Sequence, residues 1–177
     1  MEIKTETDRL ILREIIEADD LALFELDSNP EVCIYLGNNP VKNLEESQEI
    51  IKFIQIQYAE NGIGRWAVIL KETNEFIGWC GLKLYKEALN HHINFYELGY
   101  RFMPKYWGKG FATEAAKASL NYGFNKLKQE KIFAITDINN LKSIHVLEKI
   151  GFKIKEKFMY DNEEHFWLEC QKESNTF

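Results

Sequence analysis

The chain has 177 residues, 45% apolar and 28% charged, enough for one sizeable core and little room for a second. Its formal charge is −6 with Lys and Arg scattered, and it carries no basic cluster of the kind that displaces phosphate counterions on a nucleic acid. Met1–Asp8 is polar and acidic, unlike a signal peptide, and no apolar run approaches the ~20 residues of a membrane helix.

One cytoplasmic domain over 1–177 is therefore expected, with its core over about 7–172. Cys33, Cys80 and Cys170 are odd in number and lack metal-ligand spacing, so they read as buried or half-buried thiols in a reducing compartment.

In chain order, Arg9–Arg13 alternates as a first strand. Asp19 and Asp20 suit the start of a short helix through Asp27, which Pro30 stops. Glu45–Glu60 places Ile50, Ile51, Ile54 and Tyr58 at helical spacing before Asn61-Gly62 ends it. Arg65–Lys71 and Phe76–Tyr85 read as strands joined by a turn, and Phe95–Met103 as a third. Pro104 ends that strand, and Gly108-Lys109-Gly110 leads into a helix over Phe111–Lys126. Ala112, Ala116, Ser119 and Gly123 form a small-residue stripe there that lets the helix lie close to a sheet. Ile132–Asp137 is a strand, Ser143–Lys149 a helix closed by Gly151, and Phe152–Tyr160 with Glu164–Gln171 a final hairpin. The order β-α-α-β-β-β-α-β-α-β-β predicts an α+β fold: a mixed, mainly antiparallel twisted sheet flanked by helices, with one central parallel β-α-β unit.

Glycines at 108 and 110 before a helix suit either a simple turn or a phosphate held by backbone N–H groups. The P-loop pattern Gly-x-x-x-x-Gly-Lys-Ser/Thr is absent. A dinucleotide fingerprint would need a glycine where Thr113 stands and would open the sheet rather than follow most of it.

The run Trp107-Gly-Lys-Gly110-Phe-Ala112 resembles the cofactor loop of the GNAT superfamily of acetyltransferases, Gln/Arg-x-x-Gly-x-Gly/Ala, with Trp replacing the polar first residue. Thr7-Asp-Arg-Leu-Ile-Leu-Arg13 and Asn140-Leu-Lys-Ser143, running on to Gly151-Phe152, are similar to motifs of its ribosomal-protein (RimJ/RimL-type) N-acetyltransferase branch. The resemblance spans roughly residues 7 to 172.

It implies acetyl-CoA as cosubstrate and no metal. Backbone amides of Trp107, Gly108, Lys109, Gly110, Phe111, Ala112 and Thr113 would hold the pyrophosphate, with Lys109 adding charge. Phe102 and Met103 would pair through their backbones with the pantetheine arm, and an N–H near Phe102 would serve a tetrahedral oxyanion. Asn140 and Ser143 would face the cofactor, although Asn140 equally suits a helix cap.

Glu97 stands where many members carry a general base. Desolvation among Phe95, Leu98 and Tyr100 would favour that role, while an ion pair with Arg101 is the structural alternative. The Tyr that often serves as general acid is Leu147 here, which leaves Ser143 or Tyr106 as stand-ins. A thiolate leaves with little help, since its acid has a pKa of roughly 8.5. His91-His92 lacks a third metal ligand at usable spacing and reads as a solvated loop.

The implied activity is acetylation of a primary amine, either a protein N-terminus or a small molecule, by a monomer or homodimer with no nucleic-acid or membrane partner. The rival is a non-catalytic acetyl-CoA sensor, favoured by Leu147 and opposed by Glu97. Trp79, Tyr85, the stretch Asp27–Asn61 and the terminal hairpin are expected to wall the acceptor groove.

Overall fold

The computed structural model describes residues 2–172; Met1 and residues 173–177, the ends of the expected domain, lie outside them. The chain runs β1 (Ile3–Glu6), β2 (Leu10–Glu14), α1 (Asp20–Asp27), α2 (Pro30–Cys33), α3 (Leu44–Asn61), β3 (Arg65–Leu70), β4 (Glu75–Tyr85) and β5 (Phe95–Phe102). It continues with α4 (Phe111–Asn125), β6 (Lys131–Asp137), α5 (Leu141–Lys149), β7 (Lys153–Tyr160) and β8 (Glu163–Gln171). All eight strands form one sheet, in the order β1-β2-β3-β4-β5-β6-β8-β7. Every neighbouring pair is antiparallel except β5–β6, so the expected parallel β-α-β unit is β5-α4-β6.

Local chemistry sets most boundaries. Asn43 caps α3 by accepting the Glu46 N–H at 2.9 Å, and Gly62 closes it in the left-handed region at φ 67°. Pro30 does more than stop α1. It opens α2, where its missing N–H costs nothing, and the Asn29 side chain accepts from the Glu31 N–H. Asp19 makes no side-chain cap on α1; its carboxylate takes the Arg13 guanidinium at 2.7 Å and the Ile16 N–H at 2.9 Å. Strand β1 was not expected, because Ile-Lys-Thr-Glu is polar and exposed at the sheet's rim.

Cross-strand partners share a face. The pairs Trp79↔Arg101, Gly81↔Gly99 and Lys83↔Glu97 therefore put those six residues on one face of the sheet. α1 reaches that face through Asp27, whose carboxylate lies 2.6 Å from Arg101. The opposite face carries Trp66, Cys80, Leu82, Leu98 and Tyr100 beneath α4 and α5. There Trp66 meets Tyr122 edge-on, and the Ser119 hydroxyl lies 3.4 Å from the Cys80 thiol. Ala116 and Ser119 are fully buried, and a methyl group at Gly123 would collide with Ile132 and Leu82, so the small-residue stripe does bring α4 close to the sheet. All three cysteines are buried.

Candidate active site

After β5, Pro104 starts a single 3-10 turn, and the chain reaches α4 through Gly108 at φ 74° and Gly110 at φ 81°. Gly110 is the residue immediately before the helix, in a left-handed conformation that other L-residues avoid. The first N–H groups of α4 have no helical acceptor, and the helix dipole makes that end positive. Cations ring the loop of this otherwise acidic chain. Lys105 and Lys109 lie over the Tyr106 ring at 5.1 and 5.5 Å, Lys142 over the Trp107 ring at 4.7 Å, and Arg9 over the Phe111 ring at 4.4 Å. A side chain at Gly108 would meet nothing within 4 Å, so the loop is open on that side. Open backbone donors among cations fit a pyrophosphate.

The strand before the loop has an open edge. β5 and β6 share one register pair, Glu97↔Phe133, and separate beyond it. The Met103 N–H donates to Ile77 on the β4 side at 3.1 Å. Strand alternation then turns the backbone of Phe102 and Tyr100 the other way, toward the gap. The Met103 carbonyl accepts from the Tyr106 N–H at 2.9 Å, so both backbone groups of Met103 have partners within the protein, while Phe102 faces the gap. The Phe102 carbonyl accepts the Trp107 indole N–H at 2.7 Å, which gives the unexpected tryptophan a local task in tying loop to strand end.

Across the gap, Asn140 caps α5 by accepting the Ser143 N–H at 3.1 Å. Tyr100, expected only as an apolar neighbour of Glu97, rises from β5 to meet Ser143: its hydroxyl lies 3.1 Å from both the Ser143 Oγ and the Ser143 carbonyl oxygen. Burial pushes the Tyr100 phenol well up, only partly offset by the bond to Ser143. Leu147 sits one turn further along α5, 2% exposed in the core. Tyr106, the other hydroxyl considered, donates to Glu75 at 2.9 Å.

Glu97 is 6% exposed, and its ion-pair partner is Arg65 of β3 rather than Arg101. Arg101 lies on the same face four residues along β5, roughly 13 Å away at strand spacing, and pairs with Asp27. The Arg65 guanidinium crosses β4 to reach Glu97, bonding the Gly81 carbonyl at 2.6 Å and the Glu97 carbonyl at 2.9 Å on the way. Gly81 and Gly99 make that path possible; a methyl group at Gly99 would stand 2.7 Å from the guanidinium. Lys83, paired with Glu97 in register, has its pKa lowered by burial and by Arg65. Trp79 lies between two guanidinium groups, 5.4 Å from Arg65 and 5.1 Å from Arg101.

Beyond Arg101 opens a cleft of about 490 Å³ between the end of α1, the chain from α2 to Val41, and α3. Its wall includes Asp27, Val41, Glu46, Glu49, Ile50 and Phe53, within the stretch the sequence nominated for an acceptor groove. Burial raises the Asp27 carboxyl, and the Arg101 guanidinium opposes that shift. Tyr85 instead stacks on Phe95 at 5.1 Å, beside a cluster of Phe95, Phe133 and Trp167, where His92 lies flat on Trp167 at 4.9 Å. His92 is thus a packing residue.

Residues 9–153 match the sequence family described as "Acetyltransferase (GNAT) domain". The chain is 34% identical over 160 residues to "Uncharacterized N-acetyltransferase YoaA" of Bacillus subtilis, covering 89% of this chain and 88% of that one. It is 38% identical over 148 residues to the spermidine N(1)-acetyltransferase of Escherichia coli, covering 82% and 74%. Among solved structures, a GNAT-family acetyltransferase from Bacillus anthracis superposes with a TM-score of 0.78 at 29% identity, covering 97% and 98% of the two chains.

Proposed function

The chain belongs to the GNAT acetyltransferase family and is an N-acetyltransferase; we propose that it takes acetyl from acetyl-CoA to a small cationic primary amine bound in the α1–α3 cleft. The observation that carries this reading is the cleft's lining. Glu46 and Glu49 add two carboxylates beyond the neutralising Asp27–Arg101 pair, and Leu36, Val41, Ile50 and Phe53 supply apolar wall between them. Ammonium groups spaced by methylenes complement such a surface. The spermidine N(1)-acetyltransferase relative at 38% identity supports the same acceptor class.

When bound, acetyl-CoA supplies an activated acyl group. The chain's own residues bind and orient it: the loop from Trp107 to Thr113 and its cations at the pyrophosphate, the Phe102 backbone at the strand gap, and Asn140 and Ser143 on the facing helix. The Phe102 N–H, turned to the gap, is the donor available to a carbonyl oxygen there. Glu97 takes the amine's proton, directly or through water, with Arg65 fixing its carboxylate. The Tyr100–Ser143 hydroxyl pair replaces the family tyrosine at Leu147 as proton source for the departing thiolate. A second acceptor, a protein N-terminus, is favoured by the RimJ/RimL-type motifs at residues 7–13 and 140–152.

Thiol release from acetyl-CoA across polyamines, monoamines and N-terminal peptides tests the reading. Turnover with peptides alone would overturn the small-amine acceptor, and absence of turnover with every amine would favour the sensor. Acetyl-CoA at about 100 times its dissociation constant should add about 2.7 kcal/mol of stability. A melting temperature that rises with NAD and not with acetyl-CoA would contradict the cofactor. Replacing Glu46 and Glu49 together with Gln should raise KM for a polyamine about tenfold, by about 1.4 kcal/mol, with kcat little changed. Equal KM values would remove the cleft from acceptor binding.

A further inference from the structure

From the β1–β2 turn, the side chains of Thr7 and Arg9 converge on the start of α4 and the loop before it. Glu114 is the one acidic residue in the first turn of α4. A carboxylate there would repel a pyrophosphate bound at the same helix end. Glu114 is instead saturated with donors. Thr7 Oγ1 donates to it at 2.5 Å, the Arg9 backbone N–H at 3.1 Å, Arg9 Nε at 2.7 Å, and Arg9 Nη2 pairs with it at 2.5 Å. Partial burial would raise this carboxyl, but the bonds from Thr7 and Arg9 outweigh it and hold it low.

The same guanidinium has a second contact. Arg9 Nη1 donates to the Lys109 carbonyl at 3.1 Å. The 109–110 peptide is trans, so its C=O and N–H point to opposite sides of one plane. Holding the Lys109 oxygen toward Arg9 turns the Gly110 N–H away from Arg9. Arg9 also lies over the Phe111 ring, and Thr7 is fixed in turn by accepting the Leu10 N–H at 3.0 Å.

We propose that Thr7, Arg9 and Glu114 form a latch that orients the Lys109–Gly110 peptide for the cofactor's pyrophosphate and cancels the first-turn carboxylate that would repel it. Arg9 is a positioning residue, acting through the loop. The inference rests on the acetyl-CoA reading of that loop.

The test is CoA affinity by titration calorimetry on the whole chain, with melting temperature recorded for each variant. Arg9→Gln removes the hold on Lys109 and leaves Glu114 charged, and should weaken CoA at least tenfold. Glu114→Gln leaves the loop cationic and should cost less than threefold. Arg9→Gln combined with Glu114→Gln removes both charges and should bind CoA more tightly than Arg9→Gln alone, even if it melts no higher. A scaffold role would instead make affinity follow the melting temperature, with the double variant no better than Arg9→Gln; that pattern overturns the latch. Should Arg9→Gln fail to fold, Arg9→Lys takes its place. Its single ammonium cannot hold Glu114 and Lys109 together, and wild-type affinity in that variant overturns the proposal. CoA binding by the unsubstituted protein with equal affinity in Arg9→Gln sinks the latch alone, whereas no CoA binding by the unsubstituted protein sinks the cofactor reading with it.

Discussion

Glu97→Gln is expected to lower kcat about 100-fold for a strongly basic amine, some 2.7 kcal/mol of barrier, while CoA affinity stays within about twofold. The amide keeps the size of the carboxylate and one acceptor for Arg65, but it cannot take a proton at neutral pH. Losing the charge beside a nearly buried guanidinium should also cost about 1–3 kcal/mol of stability, so the rate must be measured well below the melting temperature. Two explanations of a slow variant then separate. An amine already neutral at the assay pH has no ammonium proton to give up before attack, so the variant should use it nearly as fast as the parent. If Arg65 is instead displaced and the site distorted, neutral and protonated amines should slow alike. Unchanged turnover of a basic amine would leave Glu97 as the structural partner of Arg65.

Gly110→Val should weaken CoA binding by 100-fold or more, about 2.7 kcal/mol, in a protein that still folds. The space is not the obstacle, because a methyl group at this position would come only to 3.5 Å from Arg9. Conformation is the obstacle. At φ 81° a β-branched residue is strained, and it relaxes by leaving the left-handed region, which rotates the peptides on both sides. The N–H groups aimed from the loop then diverge. Calorimetry with CoA measures the loss, and circular dichroism verifies the fold. Full affinity in a folded Gly110→Val protein would show that the pyrophosphate is not held by this backbone.

Where local chemistry decides, the sequence was legible. The run from β5 through the glycine loop into α4 was placed to within a residue, because Pro104, Gly108 and Gly110 punctuate it and α4 carries a small-residue stripe. What it hid was long-range. Arg65 and Glu97 are 32 residues apart and meet only because β3, β4 and β5 lie side by side in register. The nearer Arg101 misled because sequence distance along a strand is also spatial distance. A signal was present in Gly81 and Gly99, which leave a trough across adjacent strands, but reading it requires the register. Tyr100 escaped for a related reason. Its partner Ser143 lies on α5, and nothing in either segment announces that the gap between β5 and β6 brings them together. β1 escaped because a rim strand needs no apolar alternation.

The parting of β5 from β6 also bears on edge-to-edge pairing of sheets. Unpaired strand edges are adhesive, and a sheet exposes them wherever pairing stops. The two outer rims are guarded here. β1 is only four residues long, and β7 places Lys153, Lys155 and Lys157 along an exposed strand, where a copy would meet repulsion. The third unpaired edge is the inner one, from Leu98 to Phe102, roofed by α4 and α5. The backbone groups left there suit a slender extended chain with amide groups, such as the cofactor arm proposed above, better than a strand carrying side chains and neighbours of its own. An unpaired stretch of backbone is thus sheltered inside the sheet rather than displayed at its rim.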